Sequence, residues 1–217
     1  MFHGQNMGLR RRYNAMSKKS LLKDIAYEKI KEKILTEDDQ YTSENSLVNQ
    51  LEMSRTPIRE ALQRLMHEGY IKIMPNQGIA ITDLSVKELN DITEYRIAIE
   101  STSLKQAVHL LNEDHYDNLQ EIIERQKEAF NQNNVVRFIQ SDVDFHLYLL
   151  EIVGNELFIQ GFQHVSGRVF RLRRKMKSNP IQLLKRIEEH IRIIELLKDR
   201  NLDLALEELE NHLKSWA

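Results

Sequence analysis

Apolar residues in "LLKDIAYEKIKEKIL" recur at Leu22, Ile25, Ala26, Ile30 and Ile34, with Lys29 and Lys33 on the same side. Spacings of three and four place them along one face of an amphipathic helix. "TSENSLVNQLEM" predicts a short second helix with Ser43 as its cap. In "SRTPIREALQRLMHEGYIKIMPNQGIAI", Ile58, Ala61, Leu62, Leu65 and Met66 follow an i, i+3, i+4, i+7, i+8 spacing and should face a core. Ser54 or Thr56 can accept from the free N–H groups at this helix start. Pro57 is tolerated there because first-turn N–H groups have no helical partner, and Gly69 suits the stop. The period then changes to two. "YIKIM" and "IAIT" alternate around the turn "PNQG", which predicts a small hairpin.

From residue 86 onward helical spacing returns and persists, interrupted only by Gly154, Gly161, Gly167 and Pro180. Ser85 can cap the first of these helices. The predicted fold is mainly α: an N-terminal winged helix-turn-helix, then an all-helical antiparallel bundle of six to seven helices. The expected division is a mobile basic tail over 1–18, a winged helix-turn-helix over 19–82, a linker over 83–88 and a helical domain over 89–217. Met16 would serve as a natural start, so part of the tail can be an extension.

Composition narrows the chemistry. The chain of 217 residues is 41% hydrophobic, enough for a real core. It has no Cys, which removes disulfides and thiol catalysis and leaves His and carboxylates as the metal ligands. No segment reads as a signal peptide and no apolar run approaches a membrane span of roughly 18 residues, so a cytoplasmic protein without a membrane partner is expected. The net charge of −2 hides a gradient: residues 1–19 carry Arg10, Arg11, Arg12, Lys18 and Lys19 and no acid, while much of the acidic excess follows residue 85. Local charge, rather than the total, steers a polyanion.

Three short helices and a wing make a DNA-reading device. Arg55 and Arg59 are four residues apart and share a helix face. A helix N-terminus favours phosphate, and an Arg fork can read guanine O6 and N7 in the major groove. Ser54 and Thr56 are short donors to backbone phosphates. The wing tip, Asn76, Gln77 and Gly78, would graze the adjacent groove. A solvated face is the bland alternative for two arginines, and the surrounding cap, helix and hairpin weigh against it.

The helical half holds a second constellation. Asp142 and His146, in "SDVDFHLYLL", stand at i and i+4 and project from one face. His190 and His212 are equidistant from residue 201, in "DRNLD", a plausible helix break. If residues 181–199 and 202–216 form a hairpin, these histidines lie at similar heights. One carboxylate and three imidazoles could then converge on a divalent ion such as Zn²⁺ or Ni²⁺. The competing reading is of hydrogen-bonded core histidines.

"TSENSLVNQLEMSRTPIREALQRLMHEGYIKIMPNQGIAI" resembles the DNA-binding domain of the GntR family of bacterial transcription regulators, and "SRTPIREAL" is its most specific part. The resemblance implies that Arg55, Thr56, Pro57 and Arg59 lie on the recognition helix and Gly78 at the wing tip. Two positions depart from the family pattern: Asn45, after the Glu of the second helix, where an Arg is common, and Gln77, where a basic residue is common. "DITEYRIAIES", "DVDFHLYLLEIVGN" and "EEHIRIIELLKDRNLDLALEELENHL" resemble the FCD effector domain of the FadR-like branch. That resemblance implies a divalent metal on Asp142, His146, His190 and His212, a cavity-facing Arg96 that meets a carboxylate effector, and a homodimer. A plain surface pair between Arg96 and Glu100 is the alternative for that arginine.

The expected function is a metabolite-responsive regulator, most simply a repressor, that reads a pseudo-palindromic operator in double-stranded DNA. A regulator with a purely structural metal and no metabolite is the alternative. A metal-dependent hydrolytic enzyme is disfavoured, since no H-E-x-x-H and no second carboxylate placed as a base is found.

Overall fold

The computed structural model describes residues 5–75, 77–176 and 179–215, with side chains from Leu21 onward. It divides into two compact units, Met1–Asp83 and Leu84–Ala217. Residues 1–4 of the expected basic tail lie outside the described residues. From Gln5 the tail's backbone is helical and continuous with the first helix.

The first unit contains α1 (Gln5–Thr36), β1 (Tyr41–Thr42), α2 (Glu44–Leu51), α3 (Arg55–His67), β2 (Ile71–Met74) and β3 (Gly78–Ile81). Its core joins Ala26, Tyr27, Ile30 and Ile34 of α1 to Ile58, Ala61, Leu62 and Leu65 of α3, with Tyr70, Ile71 and Ile79 closing one side. The stripe on α1 is rotated from the expected one. Tyr27 is buried, whereas Leu22 and Lys29 are exposed. Tyr27 explains the rotation: its hydroxyl donates to Glu68 Oε2 at 2.6 Å and its ring lies 3.6 Å from the Arg64 guanidinium. Met66 also departs from expectation and is 44% exposed. It sits about 80° around α3 from Ile58, at the edge of the buried stripe.

The wing has three strands rather than two. β1 pairs antiparallel with β3, giving the order β1-β3-β2. The hairpin register runs from Ile71↔Ile81 to Met74↔Gly78. β1 is only two residues long, too short for an alternating pattern to announce it. Gly78 has φ +99°, and a Cβ there would meet the Thr42 carbonyl oxygen at 3.0 Å, so the β1–β3 approach requires glycine.

The second unit is six helices: α4 (Val86–Ala107), α5 (Glu113–Asn131), α6 (Val135–Val153), α7 (Glu156–Lys175), α8 (Pro180–Lys198) and α9 (Leu202–Lys214). Ser85 and Glu88 form a reciprocal capping box at the start of α4. Every later helix starts on an asparagine whose side chain accepts from the first turn: Asn112, Asn134, Asn155, Asn179 and Asn201. The break between α8 and α9 falls where the two-histidine spacing predicted it. Gly161 on α7 lies against the Tyr95 ring of α4, where a Cβ would overlap the phenol. The core runs through Leu104, Leu119, Ile123, Phe138, Phe145, Ile193, Leu197 and Leu209. No helix among the described residues is long and apolar enough to cross a membrane.

Candidate functional sites: a DNA-reading surface and a buried histidine centre

In the first unit the polar side of the α2–α3 pair is built by local capping. Ser43 caps α2 and accepts from Ser46 N–H at 3.1 Å. Ser54 is the N-cap residue of α3 by backbone geometry, yet its side chain makes no cap hydrogen bond. Its hydroxyl is therefore not consumed by the helix start, contrary to the expected capping role. Arg55, Thr56 and Arg59 are exposed, and Pro57 is buried. The two arginines are held by α2: Arg55 Nη2 donates to Asn45 Oδ1 at 3.3 Å, and Arg59 Nε donates to Glu44 Oε2 at 2.8 Å. The Glu44 tether leaves the terminal Nη groups of Arg59 as its outward donors. Gln77 and Gly78 stand at the exposed end of the hairpin, while Asn76 lies outside the described residues.

In the second unit Asp142 and His146 on α6, His190 on α8 and His212 on α9 are all buried, and one ligand atom of each lies within 4.8 Å of the others. His212 Nε2 is 3.0 Å from His146 Nε2 and 3.1 Å from His190 Nε2. Asp142 Oδ1 lies 3.6 Å from His190 Nε2 and 4.0 Å from His212 Nε2. That oxygen has no hydrogen-bond partner among the described residues.

The other nitrogen of each ring faces outward to an oxygen. His190 Nδ1 is 2.9 Å from Gln126 Oε1, and His212 Nδ1 is 2.8 Å from Glu189 Oε2. His146 Nδ1 is 2.7 Å from Glu100 Oε2, in ion-pair range but off the line of a directed hydrogen bond. The oxygens behind His190 and His212 assign the proton to Nδ1 in those two rings, and His212 Nε2 faces the Nε2 atoms of the other two. Arg186 Nη1 also approaches His212 Nδ1, at 3.0 Å, but it donates to the His212 carbonyl oxygen at 3.1 Å. The Glu189 carboxylate decides the tautomer, because a bare Nδ1 would face its lone pair.

Electrostatics keep the donors in ligand form. Burial pushes all three imidazoles below the ordinary histidine value, so they stay neutral. Burial alone would push the Asp142 carboxyl up, but the Arg173 and Arg186 guanidiniums reverse this and hold it well below the usual carboxylate range. Arg173 Nη1 donates to Asp142 Oδ2 at 2.6 Å. Asp142 is thus ionised, with one oxygen held and the other bare. Four electron-pair donors crowd a dry interior, an arrangement that a divalent cation relieves. The donor set fits such an ion.

Arg96 is 5% exposed, so the alternative of a surface pair with Glu100 is wrong. Its Nε donates to Glu100 Oε1 at 2.6 Å, and its guanidinium lies 5.1 Å from the Phe162 ring. Arg96 and Arg173 line a cavity of about 10 Å³ together with Ile92, Thr93, Val169 and Leu213.

The chain matches two families, the bacterial regulatory proteins of the gntR family over residues 22–81 and the FCD domain over residues 91–215. It belongs to the GntR family of transcription regulators. It is a DNA-binding regulator with an FCD domain. Curated GntR-type relatives include the HTH-type transcriptional repressor NanR of Enterobacter sp. (strain 638), 27% identical over 95% of this chain and 87% of that protein. The Nta operon transcriptional regulator of Aminobacter aminovorans is 29% identical over 74% of this chain and 75% of its own length. Among solved structures, E. coli McbR/YncC superposes with a TM-score of 0.77 at 20% identity, covering 89% of this chain and 94% of that one. A GntR-type regulator from Rhodococcus sp. RHA1 gives 0.73 at 16% identity, covering 92% and 95%. At such identities these two structures support the fold alone.

Sequence reasoning missed Glu44, Gln126, Arg173, Arg186 and Glu189. For three of them a signal existed. Gln126, Arg173 and Arg186 occupy apolar-stripe positions, as in Leu183-Arg186-His190-Ile193-Leu197, and all three are buried. A polar residue on a core stripe needs a buried partner.

Proposed function

We propose that this GntR-type chain acts as a cytoplasmic homodimeric repressor. Residues 19–82 would read one half-site of a pseudo-palindromic operator, and residues 89–217, joined through 83–88, would sense a small organic acid. Ser43, Asn45, Ser54, Arg55, Thr56, Arg59, Asn76, Gln77 and Gly78 make up the proposed DNA-binding set, whereas Pro57, expected in it, is buried and would only shape the start of α3. Arg55 and Arg59 are the base readers, and Ser54 and Thr56 the phosphate donors. Two-fold symmetry of a dimer calls for two-fold DNA.

In the helical half, Asp142, His146, His190 and His212 would hold a divalent ion, zinc or nickel. The observation that carries this is His212 Nε2 at 3.0 and 3.1 Å from the Nε2 atoms of His146 and His190, with His190 and His212 held from behind by the Gln126 and Glu189 oxygens. When bound, the ion supplies open coordination positions for a carboxylate. Arg173 orients Asp142. Glu100 links His146 to Arg96, so α4 carries both an outer partner of the centre and the acid-binding arginine. The cavity beside Arg96 and Arg173 has room for about one water, so an acid enters only if α4, α7 and α9 part. α4 follows the DNA-reading unit almost directly in sequence, and its displacement would pass along residues 83–86. An acid regulates only if it binds the DNA-incompetent arrangement better.

The small cavity gives one competing reading some support: a metal that only ties α6, α8 and α9 together. The test is retardation of the chain's own upstream DNA by zinc-loaded protein, with and without a panel of organic acids. Release by one acid, abolished in Arg96→Met, is expected. Release by none would favour the structural metal.

A further inference from the structure

Successive residues of α2 hold the two exposed arginines of α3, and they hold them differently. Asn45 is a neutral amide, and its Oδ1 accepts from Arg55 Nη2 at 3.3 Å. Glu44 is a carboxylate, and its Oε2 accepts from Arg59 Nε at 2.8 Å. Arg55 therefore engages one nitrogen of its terminal fork. Arg59 is gripped from the side and keeps both Nη groups for an outside acceptor. The charges differ as well. Arg59 and Glu44 together are close to neutral, whereas Arg55 keeps its whole positive charge.

Stability is a poor reason for the Glu44–Arg59 pair. The Arg59 and Glu44 side chains are 63% and 27% exposed, and solvent screens an ion pair at such a surface until little net stabilisation remains. Glu44 also opens α2, where an acid favours the helix dipole, but that role needs no arginine from α3. On a surface that meets DNA, a carboxylate repels phosphate and weakens binding to every sequence. What the tether adds is aim. With Nε committed, the two Nη groups form the edge that matches O6 and N7 of guanine. A side chain already oriented also loses less freedom on binding.

We propose that Glu44 is a positioning residue that sets sequence specificity: it aims the Arg59 fork at a guanine edge in each half-site and cancels that arginine's general pull on phosphates. This rests on the DNA-reading surface proposed above. Arg59 then discriminates between sequences without tightening binding to all of them. Arg55, whose tether is neutral, both reads and attracts. The division favours an operator over bulk DNA, because the quantity that matters is the ratio of specific to non-specific affinity.

The test compares full-length wild type, Arg59→Ala, Glu44→Ala and Glu44→Gln. Each is titrated against an operator obtained by selection, the same operator changed at single base pairs, and random-sequence DNA. Several salt concentrations are used, with thermal melts alongside. Arg59→Ala identifies the base pair that Arg59 reads. Glu44→Ala should reduce preference at that same base pair by about fivefold or more, the lower end of what a bidentate base contact supplies. Random-sequence DNA should bind about two- to fivefold more tightly, with a salt slope steeper by about one. Glu44→Gln keeps an acceptor for Arg59 Nε but not the charge, so it should tighten random binding while retaining more of the preference. Unchanged preference in both Glu44 variants overturns the proposal and, where the melting temperature falls, leaves Glu44 as a helix-start acid. Weaker binding to every sequence, random DNA included, also overturns it. Lost preference with no gain on random DNA overturns the charge cancellation and keeps the aim. An Arg59→Ala that relaxes no base preference overturns both this role and the base reading by Arg59.

Discussion

Replacing Arg173 by Met removes the guanidinium that holds Asp142. Arg173 and Asp142 are 5% and 2% exposed at their side chains and meet at 2.6 Å. Methionine retains much of the aliphatic volume and removes the charge, so the principal loss is the cation opposite a buried carboxylate. Breaking one side of such a pair costs about 3–5 kcal/mol, because the remaining charge stays buried and unpaired. Against a typical total of roughly 5–15 kcal/mol, that is a severe loss. The exposed pair Lys87–Asp91, with side chains 83% and 57% exposed, sets the contrast, because solvent screens it. The double variant Arg173→Met/Asp142→Asn should recover much of the deficit, since the carboxylate that faced Arg173 is gone as well. Urea unfolding of metal-free protein followed by circular dichroism measures all four corners of the cycle. In Arg173→Met the Asp142 carboxyl should also rise, because burial is then opposed by one guanidinium fewer. A single-variant loss below about 1 kcal/mol, or a double variant no better than the single, would refute the argument.

Further predictions address the rest of the molecule. Glu88, hydrogen-bonded by Arg168 and Ser85, is held down to about 2 from its ordinary value. A depressed carboxyl contributes stability above the unfolded value near 4.5 and loses it as pH falls toward 2. Because Glu88 is 44% exposed, screening reduces its worth to about 1 kcal/mol. Glu88→Gln should therefore destabilise at pH 7 by about that amount, with the gap from wild type closing between pH 4.5 and 2.5; a constant gap in urea titrations would contradict this. Gly78→Ala forces a Cβ onto φ +99° and against the Thr42 carbonyl, and should cost about 1–3 kcal/mol in thermal melts; an unchanged melt would show that the wing adapts. Arg59→Ala should weaken operator binding by about 1–3 kcal/mol and relax preference at one base per half-site in a selection assay; uniform weakening on every sequence would make Arg59 a phosphate contact.

The sequence revealed most where periodicity and chemistry coincided. The α8–α9 break and the meeting of His190 with His212 followed from spacing, because a two-helix hairpin is nearly rigid in register. α3 was legible for the same reason, its apolar stripe fixing which residues face outward. Burial was harder to read at stripe edges, as with Met66, Leu22 and Tyr27, where one buried hydroxyl can rotate a helix. β1 was invisible because two residues carry no period. The outer ring of the histidine centre was partly legible and went unread. Gln126, Arg173 and Arg186 interrupt apolar stripes, but their partners come from other helices and only the fold reveals them. The Asn at the start of each of the helices α5–α9 was a further boundary signal.

The most direct test of the proposed centre is the metal content of untagged protein prepared without chelator, measured by elemental analysis beside His190→Ala. His190 stacks on Phe145 at 4.1 Å, so circular dichroism should accompany the variant to establish that the bundle persists. About one divalent ion per chain in the wild type, lost in a folded His190→Ala, is the predicted result. No ion in the wild type, even after incubation with Zn²⁺ or Ni²⁺, would contradict the account and make the three histidines a hydrogen-bonded core.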